Sequence, residues 1–255
     1  MKKNIRLLLS VAGIGLLLAA AWAVESGREP FSWALITIAL IFLGVLVLFN
    51  QKEAKQRTKK LKDLAGQMGM KFSAKIDGAL LERRQSALIW SSRANITITN
   101  VLHGDSEQLG YGEEFEVRIL DRKRQAGRSV ISQTVICFHS PELNLPQFSL
   151  RPEGLHHKIG SSFGYQDIDF ESDRTGAEFS KKYLLRGKDE QKIRTLFTDK
   201  VLTFFATHPD EVCVKGSGDQ LILYQDGKII EPENISAFME EGLEVFRLFA
   251  SSQPS

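Results

Sequence analysis

Cysteine is scarce in this chain, with two residues in 255, Cys137 and Cys213. A disulfide-stapled secreted scaffold is therefore excluded, since such domains are cysteine-dense. Both cysteines stand in apolar, strand-like contexts, Val-Ile-Cys-Phe and Val-Cys-Val, and are expected to be buried core thiols. Net charge is also scarce, at +2. Nucleic-acid-binding domains usually carry a strong basic excess, so nucleic acid is not expected as a partner.

The familiar signatures of chemistry are missing as well. There is no Gly-x-x-x-x-Gly-Lys-Ser/Thr phosphate loop around Gly110 and Gly112, and no Gly-x-Ser-x-Gly elbow. Gly216-Ser217-Gly218 reads as a hairpin turn. Of the five histidines, only His156-His157 cluster, without the further ligands a zinc site needs. No catalytic, cofactor-binding or metal-binding residue is assigned, and no cofactor is expected.

Charge is wholly absent from two long apolar runs, residues 7–24 and 31–49. A helix rises about 1.5 Å per residue, so a hydrocarbon core of about 30 Å needs about 20 residues. Inside lipid the backbone must satisfy its own hydrogen bonds, so both runs are expected to be helical. The linker Glu25-Ser26-Gly27-Arg28-Glu29-Pro30 is short and polar and leaves only an antiparallel transmembrane hairpin. Trp22 and Trp33 stand at its interface. Ionisable groups within the spans would mark a transporter, proton relay or channel, and these spans have none.

Lys2, Lys3 and Arg6 precede the first run, and Lys52, Lys55, Arg57, Lys59, Lys60 and Lys62 follow the second. The linker holds only Arg28. The positive-inside rule places both termini in the cytoplasm of a multi-pass protein. A competing reading is a signal peptide with an Ala21-Trp22-Ala23 cleavage site. The second run would then be a single span, with the domain still inside. In either topology Asn95-Ile96-Thr97 and Asn234-Ile235-Ser236 are irrelevant as glycosylation sites.

Residues 51–70 form a basic juxtamembrane helix, with Leu61, Leu64 and Met68 on one side. Its six cations are candidate contacts for anionic lipid head groups. The plainer reading is a stop-transfer flank.

Residues 71–250 are expected to be one cytoplasmic α+β domain, a mostly antiparallel sheet with helices packed on it. Strands are read at 71–76, 94–102, 115–120 and 130–138, the last two forming a hairpin with a basic end at Asp121-Arg122-Lys123-Arg124 and Arg128, read as a solvated turn or, more sharply, as a phosphate or lipid contact. Prolines make residues 148–150 an edge strand. Further strands are read at 165–171 and 179–185. Asp189 N-caps one helix carrying Ile193, Leu196, Phe197, Val201, Phe204 and Phe205 at a 3.6-residue period. A second hairpin turns at residues 216–219. A last helix starts near Pro232 and buries Ile235, Phe238, Met239, Gly242, Phe246 and Phe249. Residues 251–255 are a disordered tail.

Asp167, Asp169, Glu171 and Asp173 alternate, and residues two apart share a strand face. Such a row can bind a cation or serve acid–base chemistry; the plainer reading is a solvent-facing strand edge. With Arg151 and Glu153 it is the polar surface to test first for a ligand.

The segments LPQFSLRPEG (145–154), FGYQDIDFES (163–172), FSKKYLLRGKDEQKIRTLF (179–197) and ILYQDGKIIEPENISAFMEEGLEVF (222–246) resemble an uncharacterised family of bacterial membrane-anchored proteins with two N-terminal transmembrane helices. The resemblance implies a shared fold and a bacterial inner membrane. It carries no functional residues, because the family has no assigned activity. Three function classes follow: a non-enzymatic protein-interaction or assembly module, a lipid or small-molecule sensor, and a membrane-associated enzyme of unfamiliar type. The expected partners are membrane lipids and a protein, including a second copy of the chain.

Overall fold

The structure, a computed structural model, describes residues 13–15, 18, 19, 21, 22, 24, 25, 29–75, 96–126, 129–154, 164–170 and 174–252. It divides into two units, Met1–Lys59 and Lys60–Ser255.

The first unit is helical. Helix α1 (Glu29–Gln67) begins here. Its stretch Trp33–Gln67 contains an uncharged-to-sparsely-charged window long and apolar enough to cross a membrane, of which only 6% is buried. A core helix hides at least one apolar stripe. This one leaves Trp33, Ile38, Leu40, Ile41, Leu43 and Leu48 exposed, on all sides of the helix. Of the first apolar run, Gly13–Gly15, Leu18, Ala19, Ala21, Trp22 and Val24 are described and helical. The rest of that expected span lies outside the described residues. A Cβ on Gly13 would stand 3.7 Å from the Phe42 ring, so the two runs approach closely there.

The second unit is α+β, as expected. Its strands are β1 (Lys71–Lys75), β2 (Ile96–Asp105), β3 (Glu116–Ala126), β4 (Ser129–His139), β5 (Leu145–Pro152), β6 (Gln166–Asp167), β7 (Tyr183–Gly187), β8 (Cys213–Gly218) and β9 (Gln220–Tyr224). They form one nine-stranded sheet in the order β1-β2-β3-β4-β9-β8-β5-β7-β6. Every described pairing is antiparallel. The helices are α2 (Ser106–Leu109), α3 (Arg174–Lys182), α4 (Glu190–Leu196), α5 (Asp199–Thr207) and α6 (Ile235–Ala250), the last entered through a 3-10 turn at Pro232–Asn234.

Strand alternation sends Val117, Ile119, Ile136, Phe138, Leu221 and Leu223 to a face shared with the helices, where the main core forms. Phenylalanines dominate it. Phe138 stacks on Phe246 of α6 at 5.3 Å between centroids, and Phe148 meets Phe197 edge-on at 5.2 Å. The last turns of α1 belong to this core through Leu61 and Ala65. The opposite sheet face holds a second cluster of Ile98, Val101, Leu120, Val135, Cys137 and Ile222. Both cysteines are buried free thiols.

The two hairpins and the last helix stand where they were expected. Gly218 turns β8 into β9 at φ 57°, the left-handed region that glycine reaches without a Cβ clash. All six expected inward residues of α6 are buried.

Five local expectations are corrected. The proline-flanked strand β5 is not at an edge: it lies between β8 and β7. Its prolines are tolerated because Pro146 falls where the β5–β8 register shifts, between Leu145 and Phe148, and Pro152 ends the strand. Residues 179–182 are helical, and only from Tyr183 does β7 begin. Gly176 and Phe179, three residues apart, are the buried positions of this helix, and Phe179 stacks on Tyr183 at 5.8 Å. The single helix expected after Asp189 is two. Phe197 (φ -83°, ψ 67°) leaves helical geometry, and Thr198 caps α5 in an extended conformation. The apolar period survives the break, which hid it. The 165–171 strand shrinks to Gln166–Asp167. Finally, β3 runs through the expected solvated tip to Ala126, and Asp121 and Arg122 there are buried. Asp121 accepts hydrogen bonds from Asn100 Nδ2 and Thr134 Oγ1, both at 2.9 Å. Asn100 reaches it from the β2 bulge at φ 54°.

Candidate functional site

The juxtamembrane cations do not act as one set. The helical period puts Lys52, Lys55 and Lys59 on one face of α1, all exposed, while Arg57 points elsewhere and is half-buried. Lys62 is exposed on the domain. Lys60 is engaged within the domain: its Nζ donates to Glu233 Oε1 at 2.5 Å, which also raises its pKa.

The acidic row is likewise divided. Asp167 is exposed and pairs with Arg186 Nε at 2.5 Å. Asp169 lies outside any strand, and its carbonyl, not its carboxylate, accepts from Arg194 at 2.9 Å. Glu171 and Asp173 lie outside the described residues, as do His156 and His157. Arg151 sits on β5 opposite Leu184, and Arg186 two residues on opposes Ser149. Arg151, Arg186 and Asp167 thus share the sheet face away from the helices. Glu153 falls in the turn beyond β5, its N–H donating to the Lys182 carbonyl at 3.0 Å.

That sheet face holds cations expected at a hairpin tip, Arg122 and Arg124, together with Arg118 and Lys215, which no expectation covered. On β3, Arg118, Leu120, Arg122 and Arg124 alternate with the core-facing Val117 and Ile119. On β8, Lys215 stands between Val214 and Gly216, which face the core. Lys215 opposes Ile222 on β9, and Tyr224, two residues along, opposes Cys213. The Arg122 guanidinium lies 5.4 Å from the centroid of the Tyr224 ring. Burial, then the charges of Arg122 and Arg124, bring the Lys215 ammonium down to about 8. Burial pushes the thiols of Cys137 and Cys213 up to about 12, so neither is a nucleophile near neutral pH. Every second residue from Arg118 to Arg124 points the same way. That spacing is the signal that would have found this face.

Two clefts open on the helical side. One, of about 710 Å³, runs between α5 and α6 past Phe204, Leu248, Glu244 and Arg247. The other, of about 740 Å³, contains His208 and Glu241, whose Nε2 and Oε1 are 3.8 Å apart. Burial raises the Glu241 pKa. No serine, cysteine or threonine stands beside this pair in the cleft lining as a nucleophile would. Among the described residues no group of three histidines, cysteines or carboxylates could hold a metal ion.

The class of protein these features define is an α+β domain with one nine-stranded antiparallel sheet, preceded by a helix long and apolar enough to span a membrane. The chain is similar to the crystal structure of the mycobacterial trehalose monomycolate transport factor A, TtfA. The TM-score is 0.51 at 16% sequence identity, over 76% of this chain and 93% of that one. At that identity the likeness is one of fold. No family model and no curated protein matches the sequence.

Proposed function

We propose that this chain is a non-enzymatic assembly module tethered to a bacterial inner membrane, with a cytoplasmic domain that binds a protein partner. The observation that carries this reading is the exposed apolar surface of α1, only 6% buried across its spanning window. Burying that surface in lipid is favourable by roughly 25 cal/mol per Å² of apolar area. The two apolar runs form a hairpin with both termini inside, and the basic residues on either side of it set that orientation. The fold likeness to a transport factor supports an accessory, non-enzymatic role; fold alone does not transfer the cargo.

The test is crosslinking and mild-detergent isolation of the full-length protein from native membranes, read by mass spectrometry. A stoichiometric partner crosslinked to the domain is the expected result. A chain recovered alone would overturn the assembly role. Reporters fused after Gln51 and at the C-terminus test topology, and periplasmic activity at either point would reject the cytoplasmic placement.

A second reading, a sensor of anionic lipid, is favoured by the exposed face of Lys52, Lys55 and Lys59. Each contributes about 1 kcal/mol near an anionic surface. Salt-insensitive association with anionic vesicles would remove it.

A further inference from the structure

Acidic side chains collect in the cleft of about 740 Å³ on the helical side. Asp210, Glu231, Glu240, Glu241 and Glu244 line it, against two permanent cations, Lys228 and Arg247. Arg247 is already engaged outside the lining: its Nε lies 2.5 Å from Glu113 Oε1, and its second nitrogen donates to Oε2. Lys60, close enough to Glu231 to feel its charge, is likewise paired with Glu233 at 2.5 Å. Glu240 accepts from a neutral group, the Tyr111 hydroxyl, at 3.1 Å. The carboxylates of Asp210 and Glu244 make no hydrogen bond or ion pair with any described residue.

Glu241 is the least exposed of the five, at 16%. Its Oε1 is buried without a hydrogen-bond donor, 3.8 Å from His208 Nε2. Burial raises its pKa, and the charges of Asp210 and Glu244 add to the rise while those of His208 and Lys228 oppose it. On α6, Glu240 and Glu244 stand one turn apart, a spacing at which like charges repel. The floor beneath these carboxylates is apolar: Ile230 and Phe238 are buried and Ile229 is half-buried.

Two features decide what such a cleft takes. The carboxylates do not converge, since among the described residues no group of three could hold a metal ion. They are spaced instead along α6, the connection before it and the turn after α5. Lysine and arginine fit a surface of this kind with both of their parts, the aliphatic stem on apolar side chains and the charged head among carboxylates.

We propose that this cleft receives a segment of the protein partner that carries lysine and arginine side chains. The inference rests on the partner-binding reading above and gives that partner its chemistry. Spaced carboxylates match spaced basic heads, which sets register and speeds encounter. One head reaching between His208 and Glu241 supplies the donor that Glu241 Oε1 lacks.

The experiment places the photo-crosslinker p-benzoylphenylalanine at Ala237, an exposed residue of the cleft lining, in the full-length protein in its native membranes. Joined peptides are mapped by mass spectrometry. A partner peptide containing lysine or arginine is expected. Its yield should fall about tenfold in Asp210→Lys and in Glu244→Lys, where an exposed carboxylate becomes a repelling cation. The yield should also fall in the parent as salt is raised, and persist in Glu107→Lys, exposed on α2 outside the cleft. A joined peptide without basic residues, one from a second copy of this chain, or a yield that both cleft variants retain overturns the proposal. A partner isolated from the membranes but never joined at Ala237 also overturns it and leaves the partner-binding reading standing. No partner by either route removes both.

Discussion

At the scale of single residues, close packing makes small changes costly. A Cβ on Gly216 would meet the Phe148 ring at 2.3 Å. That ring is itself held by Phe197 and Phe249, with centroids at 5.2 and 5.4 Å, so it has little room to retreat. Gly216→Ala should therefore destabilise the domain by about 1–3 kcal/mol, the usual penalty of overpacking, measured by urea unfolding. Glu241 gives a signed pH effect. Burial raises its folded pKa above the ordinary carboxylate value, so the folded state holds its proton more tightly. Its contribution is complete below the unfolded pKa and is lost as pH rises through the folded one. Glu241→Gln should then gain in thermal midpoint relative to the parent between pH 5 and 7. An unchanged difference across that range would mean His208 compensates fully. Residue-level roles were the least legible part of the sequence. Arg122 looked like a solvated tip because charge usually marks a turn; it is buried because β3 continues through it with its alternation intact.

At the scale of elements, periodicity identified what it could resolve. The strong alternation of 115–120 and 130–138 became β3 and β4, and the 3.6-residue pattern after Pro232 became α6. The pattern after Asp189 was helical too, but periodicity does not register a break that preserves phase, as at Phe197 and Thr198. The start of α4 was legible because a cap is local chemistry: Asp189 Oδ1 accepts from the Lys192 N–H at 3.1 Å. Asp189→Ala should speed amide exchange across Glu190–Leu196 and leave α6 unchanged. Exchange that rises equally in both helices would mean the cap stabilises the whole domain rather than its own element. Residues 148–150 show the opposite limit. Proline argues for an edge, yet whether a strand is an edge depends on which others arrive beside it, and β7 and β8 come from elsewhere in the chain.

At the scale of the whole molecule, the domain does not begin where the basic helix ends. Leu61 and Ala65 of α1 are 1% and 0% exposed, inside the core with Phe and Leu side chains from distant strands. A chain begun at Lys60 should keep the fold. One begun at Lys71 loses Leu61 and Ala65 and should be less stable by about 2–5 kcal/mol for the leucine alone. Equal stability of the two would show that α1 only tethers. Composition and pattern alone determined the segregation of an apolar N-terminal part from a mixed α+β part, the main hairpins, the last helix and the burial of both cysteines. These are properties of local order, set by hydrophobic period and turn chemistry within a few residues. The strand order, the interior place of β5, the burial of the last turns of α1 in the core and the approach of Arg122 to the Tyr224 ring were decided only by tertiary structure. Each depends on residues far apart in sequence, whose approach is set by the packing of whole faces.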